Sequence, residues 1–297
     1  MNQNNLKTKI ILVILGILAI SAVAVWRIAF NQIKGDVQQN GNLLKVTFCD
    51  VGQGDAELIQ SPAQFDVLID GGPDDSVLAC LGNNLPYSDR DLEMVILTHP
   101  DADHLTGLVS VLQRYKVKEI LATGVSKDSA TFKAWETEIK NQNIPVKKTK
   151  AGDQYDLDNG IILKVLSPDD TLLNSNPDIN ETSIVAQLIN QKIKILFSGD
   201  AQSMAQNSII AKNYDVASDI LKIPHHGSVN GLTAEFFSKI QPKIAIISVG
   251  ANNRYGHPHQ SILDKLKSQA VQIYRTDQNG EIDLTTDGLT YDIKTEK

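Results

Sequence analysis

Positive charge is the first thing this chain has little of. Its 297 residues carry 28 Lys and Arg against 35 Asp and Glu, a net charge of −7 at neutral pH. Lys7, Lys9, Arg27 and Lys34 fall within residues 1–40 beside a single acid, Asp36, so the remainder keeps 24 basic and 34 acidic residues, near −10. A protein gripping long stretches of nucleic acid needs a basic footprint, and composition supplies none. Cysteine is scarce too. Cys49 and Cys80 are free to pair outside a cell, but two cysteines do not specify a disulfide. Cys49 closes the apolar run Leu43–Cys49, where a small buried hydrophobe fits. No Lys-Ser pair follows the glycine-rich segment Asp50–Asp55, which excludes a phosphate-binding P-loop. No short-period repeat is present, which excludes a solenoid.

One long apolar run stands near the start. Residues 10–26 are uncharged, with Lys7 and Lys9 before them and Arg27 after. Seventeen residues is near the lower limit for crossing a hydrocarbon core of roughly 30 Å. Trp26 suits an interfacial anchor, whereas Ala22-Val23-Ala24 satisfies the small-x-small rule of a cleaved signal peptide. No polar segment separates the run from that site, so we read residues 1–30 as an uncleaved membrane anchor, with secretion after cleavage near Ala24 as the alternative. Lys7 and Lys9 put the N-terminal flank inside and the rest of the chain outside. Residues 31–41 read as a polar linker and 42–297 as one catalytic domain.

Strand-like and helix-like segments alternate beyond the linker. Leu43–Cys49, Ala56–Gln60, Phe65–Asp70 and Met94–Leu97 read as strands, and Leu105–Arg114 and Ala130–Asn141 as helices. The second half repeats the pattern: strands at Ile161–Leu166, Ile184–Ile189, Ile193–Ser198, Ile220–Ile223, Ile244–Val249 and Val271–Arg275, with helices between. Periodicity gives α/β and two similar halves, hence two sheets between helix layers.

The chemistry gathers at strand ends. His99, Asp101, Asp103 and His104 lie within six residues after the buried run Met94–Leu97, where a tight turn can aim them at adjacent cations. Asp200 follows Ile193–Ser198 and a glycine; a charge at the end of a buried strand must be paired or bind metal. His225 and His226 follow Leu221–Pro224. Neighbours on an extended segment point apart, so the two are not expected to serve one metal alike. His257 lies in the polar loop Gly250–His259, where Asn253, Arg254 and Tyr255 can hold an anionic group.

Five segments taken together carry a resemblance: Asp50-Val-Gly-Gln-Gly-Asp-Ala56, Leu97-Thr-His-Pro-Asp-Ala-Asp-His104, Leu196-Phe-Ser-Gly-Asp-Ala201, Ile223-Pro-His-His-Gly-Ser228 and Tyr255-Gly-His-Pro258. In this order they resemble the motifs of metallo-β-lactamase-fold hydrolases. Asp101 stands where a second His is usual, which is similar to the hydrolase domain of the DNA-uptake competence proteins (ComEC). The resemblance implies an αββα four-layer sandwich and two divalent metal ions, Zn2+ or Mn2+. It implies metal ligands His99, Asp101, Asp103, His104, Asp200 and His225, with Asp200 bridging, and Asp103, His226 and His257 in catalytic roles. Asp55 would order the ligand histidines from behind. The usual His about twenty residues before the bridging aspartate is missing; the region reads Asp178-Ile-Asn-Glu-Thr-Ser183, and Asn180 or Ser183 is the expected substitute. Zinc is the default that the resemblance implies, and an oxygen ligand at Asp101 would move the preference toward manganese. The implied activity is phosphodiester hydrolysis with DNA as the leading substrate. Hydrolysis of envelope phosphoesters, small esters or lactones stays open, as does a non-catalytic metal-binding accessory of an uptake or envelope complex. No protein partner can be read from the residues.

Overall fold

The computed structural model describes residues 43–297. The anchor at residues 1–30 and the linker at 31–41 lie outside the described residues. Among those described, no helix is long and apolar enough to cross a membrane.

Two mixed sheets stack face to face. The first has eight strands, in the order β15-β14-β1-β2-β3-β4-β5-β6. These are β1 (Leu44–Phe48), β2 (Glu57–Gln60), β3 (Asp66–Ile69), β4 (Asp91–Leu97), β5 (Lys116–Ala122) and β6 (Val146–Lys148), with β14 (Ile282–Thr286) and β15 (Tyr291–Thr295). The second has seven, β13-β12-β11-β10-β9-β8-β7: β7 (Gln154–Asp158), β8 (Ile161–Ser167), β9 (Val185–Asn190), β10 (Ile193–Phe197), β11 (Ile220–Lys222), β12 (Ile244–Ile247) and β13 (Gln272–Arg275). β3 to β6 run parallel, as do β10 to β13, so each sheet offers a row of strand C-termini at one edge.

Three apolar clusters hold the layers. Val46, Phe48, Ile59 and Ile96 from the first sheet meet Leu163, Leu188, Ile195 and Phe197 from the second in the central layer. The outer face of the first sheet takes helices α1 (Ser76–Asn84), α2 (Ala102–Arg114) and α3 (Ala130–Gln142) through Leu81, Leu105, Leu108 and Trp135. The second sheet is covered through Leu172 of α4 (Asp170–Asn174), Ile209 of α5 (Ser203–Ala211), Phe236 of α6 (Ala234–Ile240) and Ile262 of α7 (Gln260–Ser268). Each such side chain contributes roughly 1.5–3 kcal/mol by leaving water. The result is an αββα sandwich, as the resemblance implied.

The structure departs from the sequence expectations in four segments. β6, β7 and the hairpin β14–β15 were not expected as strands; β14 pairs antiparallel with β1 over Leu44–Phe48, which puts the end of the chain beside the start of the domain. Cys49 and Cys80 form a disulfide, so Cys49 is not a free thiol filling the core. The bridge ties the end of β1 to α1 and closes a loop of 31 residues, worth roughly 3–4 kcal/mol in the chain-entropy account.

Candidate metal centre

The site stands where the C-terminal ends of β3 and β4 meet those of β10, β11 and β12. β4 delivers His99 two residues after Leu97, and α2 starts at once, with Asp103 and His104 in its first turn. The helix docks closely because Gly107 packs on the backbone of Gly71; a Cβ there would stand 1.9 Å from the Gly71 carbonyl oxygen. Gly54 of the opening loop is equally constrained, since its Cβ would fall 2.2 Å from the Asp103 carbonyl oxygen. Asp200 follows β10. His225 and His226 follow β11 in a 3-10 turn, both with left-handed backbone, φ 50° and 53°. Consecutive non-glycine residues in that region are uncommon and cost strain. The consequence corrects the expectation of opposed side chains: the segment is not extended, and both rings face the same side, 6.1 Å apart.

Asp200 is the centre. Its Oδ1 lies 3.4 Å from His104 Nε2 and 3.7 Å from His226 Nε2; its Oδ2 lies 3.6 Å from His225 Nε2 and 3.9 Å from His99 Nε2. Asp103 Oδ2 is 3.4 Å from His226 Nε2. One donor atom each from Asp103, His104, Asp200 and His226 falls within 4.8 Å of the others.

The hydrogen bonds behind the rings decide which nitrogens face inward as acceptors. His226 Nδ1 is 2.9 Å from the Ser248 carbonyl oxygen, which only accepts, so Nδ1 carries the proton and Nε2 keeps its lone pair. His104 Nδ1 meets Asp70 Oδ2 at 2.8 Å. Thr98 Oγ1 gives its hydrogen to Asp70 at 2.6 Å and faces His99 Nδ1 at 3.1 Å, so it accepts from that ring. The Nε2 atoms of His99, His104 and His226, with Asp200 Oδ1, are buried and have no hydrogen-bond partner among the described residues. Buried polar atoms are seldom left so. Three of them, His104 Nε2, His226 Nε2 and Asp200 Oδ1, converge with Asp103 and fit a divalent cation, while His99 Nε2 faces the other Asp200 oxygen.

Electrostatics agree. Burial opposes charge on His104 and His226, yet Asp200 and Asp70 hold His104 well above its ordinary value, and Asp200 and Asp55 raise His226 to about 10. Burial, aided by His104, pushes His99 down to about 3. Burial would raise Asp200, but the surrounding imidazoles hold it well below the usual carboxylate range. Positive charge is demanded at this point, and a bound cation would supply it in place of protons.

Beneath the cluster lies a residue that the sequence reading did not single out. Lys222, in β11, is 1% exposed and ion-paired with the Asp55 carboxylate, itself 1% exposed. Asp55 Oδ1 also stands 3.3 Å from His226 Nδ1. Burial opposes the Lys222 ammonium, but Asp55 and Glu57 hold its pKa above the ordinary lysine value. The available signal was a lysine inside the apolar run Ile220–Ile223.

Other expected residues sit elsewhere. Asp101 lies outside the cluster: Lys127, on the loop after β5, donates to its Oδ1 at 2.6 Å. Ser183 Oγ lies 3.2 Å from His99 Nδ1 and accepts from the Asp200 amide at 3.2 Å, on the far side of the ring from the Nε2 that faces Asp200. Asn180 lies in the turn Ile179–Thr182, capped by Asp178. His257 is half-buried, with its ring 5.6 Å from His225 and 6.4 Å from His226.

A helix-flanked double sheet with a His/Asp cluster across its edge defines a class, and comparison with known proteins gives the same one. Residues 49–251 match the Metallo-beta-lactamase superfamily, and the chain belongs to that superfamily. It is 30% identical to ComE operon protein 3 of Bacillus subtilis over 259 residues, 80% of this chain and 32% of that protein. It is 28% identical to Recombination protein 2 of Haemophilus influenzae, covering 80% of this chain and 28% of that protein. The chain thus spans about a third of the length of these relatives. Among solved structures it is similar in fold to the metallo-beta-lactamase fold protein YhfI of Bacillus subtilis, with TM-score 0.54, 13% identity, and coverage of 78% of this chain and 95% of that one. The metallo hydrolase Igni18 of Ignicoccus hospitalis gives 0.53, 11%, 80% and 98%.

Proposed function

We propose that the chain is a metal-dependent phosphodiesterase, held at the outer face of a membrane by residues 10–26 and acting on DNA or a related phosphodiester. The observation that carries the reading is the convergence of His104 Nε2, His226 Nε2 and Asp200 Oδ1, buried and without partners among the described residues, with Asp103 on one point. One relative is named Recombination protein 2, and another, from Neisseria gonorrhoeae and 25% identical over 246 residues, Competence protein ComA; both names favour DNA. The Cys49–Cys80 disulfide favours an oxidising compartment outside the cytoplasm.

Asp103, His104, Asp200 and His226 would hold one divalent ion, and His99, His225 and the second oxygen of Asp200 another; zinc and manganese both suit such N/O ligands. Bound metal would supply Lewis acidity and an acidified water. Asp70 fixes the His104 ring through Nδ1 and Ser248 that of His226, so both ligand nitrogens are preorganised. Asp103, held ionised by His226 beside it and by the charge of His104 against the effect of burial, would orient an attacking water. His257, lowered to about 4 by burial and by its neighbours His226 and His225, is neutral at pH 7 and takes a positioning or substrate-contact role.

The acidity of the domain supports a second reading, hydrolysis of a small envelope phosphoester, which needs no basic track. Metal analysis, followed by assays on single-stranded DNA and on a generic p-nitrophenyl phosphodiester with zinc or manganese restored, separates the two. Asp200→Ala should release metal and abolish hydrolysis of both. A variant that retains metal and activity would refute the proposal.

A further inference from the structure

We propose that Tyr255, with Arg254, is a stacking platform for a nucleobase beside the metal centre, so that the site takes single-stranded rather than duplex nucleic acid. The inference rests on the phosphodiesterase reading and deepens it.

A ladder of flat groups runs outward from the cluster. The His226 ring is stacked with His257 at 6.4 Å and 28°, and His257 with Tyr255 at 5.7 Å and 25°. The Arg254 guanidinium lies 5.0 Å from the Tyr255 ring centre. His226 is buried, His257 half-buried, and Tyr255 is 55% exposed even with the guanidinium over it. The ladder therefore begins among the metal-facing nitrogens and ends in solvent at Tyr255, where the Arg254 guanidinium, donating to the Tyr255 hydroxyl at 2.9 Å, covers part of the exposed ring. An exposed tyrosine is ordinary by itself; one stacked in series with a ring of the reactive cluster is not.

The loop is preorganised to present that face. Asn253 Oδ1 accepts from the amides of Tyr255 at 3.2 Å and His257 at 3.0 Å, while its Nδ2 donates to the carbonyls of Gly250 at 3.0 Å and His257 at 2.6 Å. An aromatic surface already held in place loses little entropy on binding. Every base has a π-face, so stacking tolerates any sequence, and arginine planes stack bases as well or turn to a phosphate. Duplex bases are stacked on one another and offer no free face until flipped.

This also answers the charge problem. With a domain near −10, phosphate attraction is weak, and affinity for a nucleic acid must come from a contact that does not depend on charge. Base–aromatic stacking contributes about 1–3 kcal/mol per base, roughly 5- to 150-fold in affinity, and does not screen with salt.

The test compares two 12-mers of identical phosphate count, one of deoxythymidine and one of abasic residues, on the full chain. Anisotropy of the labelled strands is read on chelator-treated protein, and KM on the manganese-loaded protein. Tyr255→Ala should weaken the thymidine strand about 10-fold more than the abasic one, at low and high salt alike, and Tyr255→Trp should restore the difference. Equal loss for both strands, or no rescue by Trp, overturns the platform. A wild type that hydrolyses neither strand nor a generic phosphodiester overturns the phosphodiesterase reading instead; hydrolysis of both strands with equal KM overturns the platform alone.

Discussion

The two oxygens of Asp200 look onto unlike neighbourhoods. Oδ1 faces His104 and His226, both fully buried, each with its Nδ1 tied to an acceptor and with Asp103 alongside. Oδ2 faces His99 and His225, and here the surroundings are thinner. The His225 side chain is 25% exposed, its Nδ1 has no partner among the described residues, Ser183 serves His99 from behind, and Asp101 is turned to Lys127. One flank gathers two imidazoles and two carboxylates with their supporting shell; the other has two imidazoles and the second Asp200 oxygen. The contrast teaches that the two ions of the proposed pair would not be equivalent, the Oδ1 position holding its ion more tightly.

The largest effect should come from exchanging the two adjacent histidines as targets. His226→Ala removes an oriented ligand from the strong flank and should lower hydrolysis by about 1,000-fold, with loss of the tightly held metal. His225→Ala should cost about 10-fold and leave that metal in place. Equal metal loss in the two variants, measured by elemental analysis after dialysis, would erase the asymmetry.

Lys222 tests whether the strong flank depends on what lies beneath it. Removing one partner of a buried ion pair strands the other charge, so Lys222→Met should destabilise the fold by about 3–5 kcal/mol. Lys222→Met with Asp55→Asn together should recover much of that stability in denaturant titrations. The double variant should still bind metal about 10-fold more weakly, because Asp55 no longer supports His226. If metal affinity returns along with stability, the pair matters for folding and not for the centre.

Asp101 sharpens the weak flank. Its pairing with Lys127 puts it outside the cluster, so Asp101→Ala should change metal content little and turnover by no more than about 3-fold, the scale of a surface ion pair. The sequence expectation is the opposite: as a ligand, Asp101 favours manganese, and Asp101→His shifts preference to zinc. Metal reconstitution of the two variants decides between them. A strong fall in Asp101→Ala would mean that Lys127 releases the carboxylate when metal arrives.

Much of this was legible because the motifs are local. His99 to His104 lie on one turn, and the strand ends before Asp200 and His225 are apolar runs with glycine or proline behind them. What was not legible depended on backbone conformation or distance along the chain. The alternation rule separated His225 from His226 only by assuming an extended segment, and two left-handed residues undo it. The Lys127–Asp101 pair spans 26 residues and Lys222–Asp55 spans 167, and no periodicity reports such pairs. The edge strand β6 is three exposed residues, too short and too polar to read as a strand. Two cysteines carry no connectivity until β1 and α1 are packed together.

A last comparison asks whether buried carboxylates here are set by burial or by their partners. Asp55 lies just before β2 and Asp66 opens β3, the neighbouring strand of the same sheet. Asp55 is buried but, with Lys222 and His226 beside it, is held below its ordinary value. Asp66 is 3% exposed and opens β3 at the end away from the site, with Glu93 and Asp89 near it. Burial first, then those two carboxylates, push it up to about 7. A carboxyl that is harder to ionise folded than unfolded leaves stability intact below about pH 4 and removes it as the pH rises toward 7. Asp66→Asn cannot ionise, so it should match the wild type near pH 4 and exceed it by about 1–2 kcal/mol at pH 8, after allowance for solvent screening. Urea unfolding at the two pH values reads the difference directly. A variant equally stable relative to wild type at both would mean that Asp66 is ionised and accommodated, and that burial without a cation costs this fold nothing.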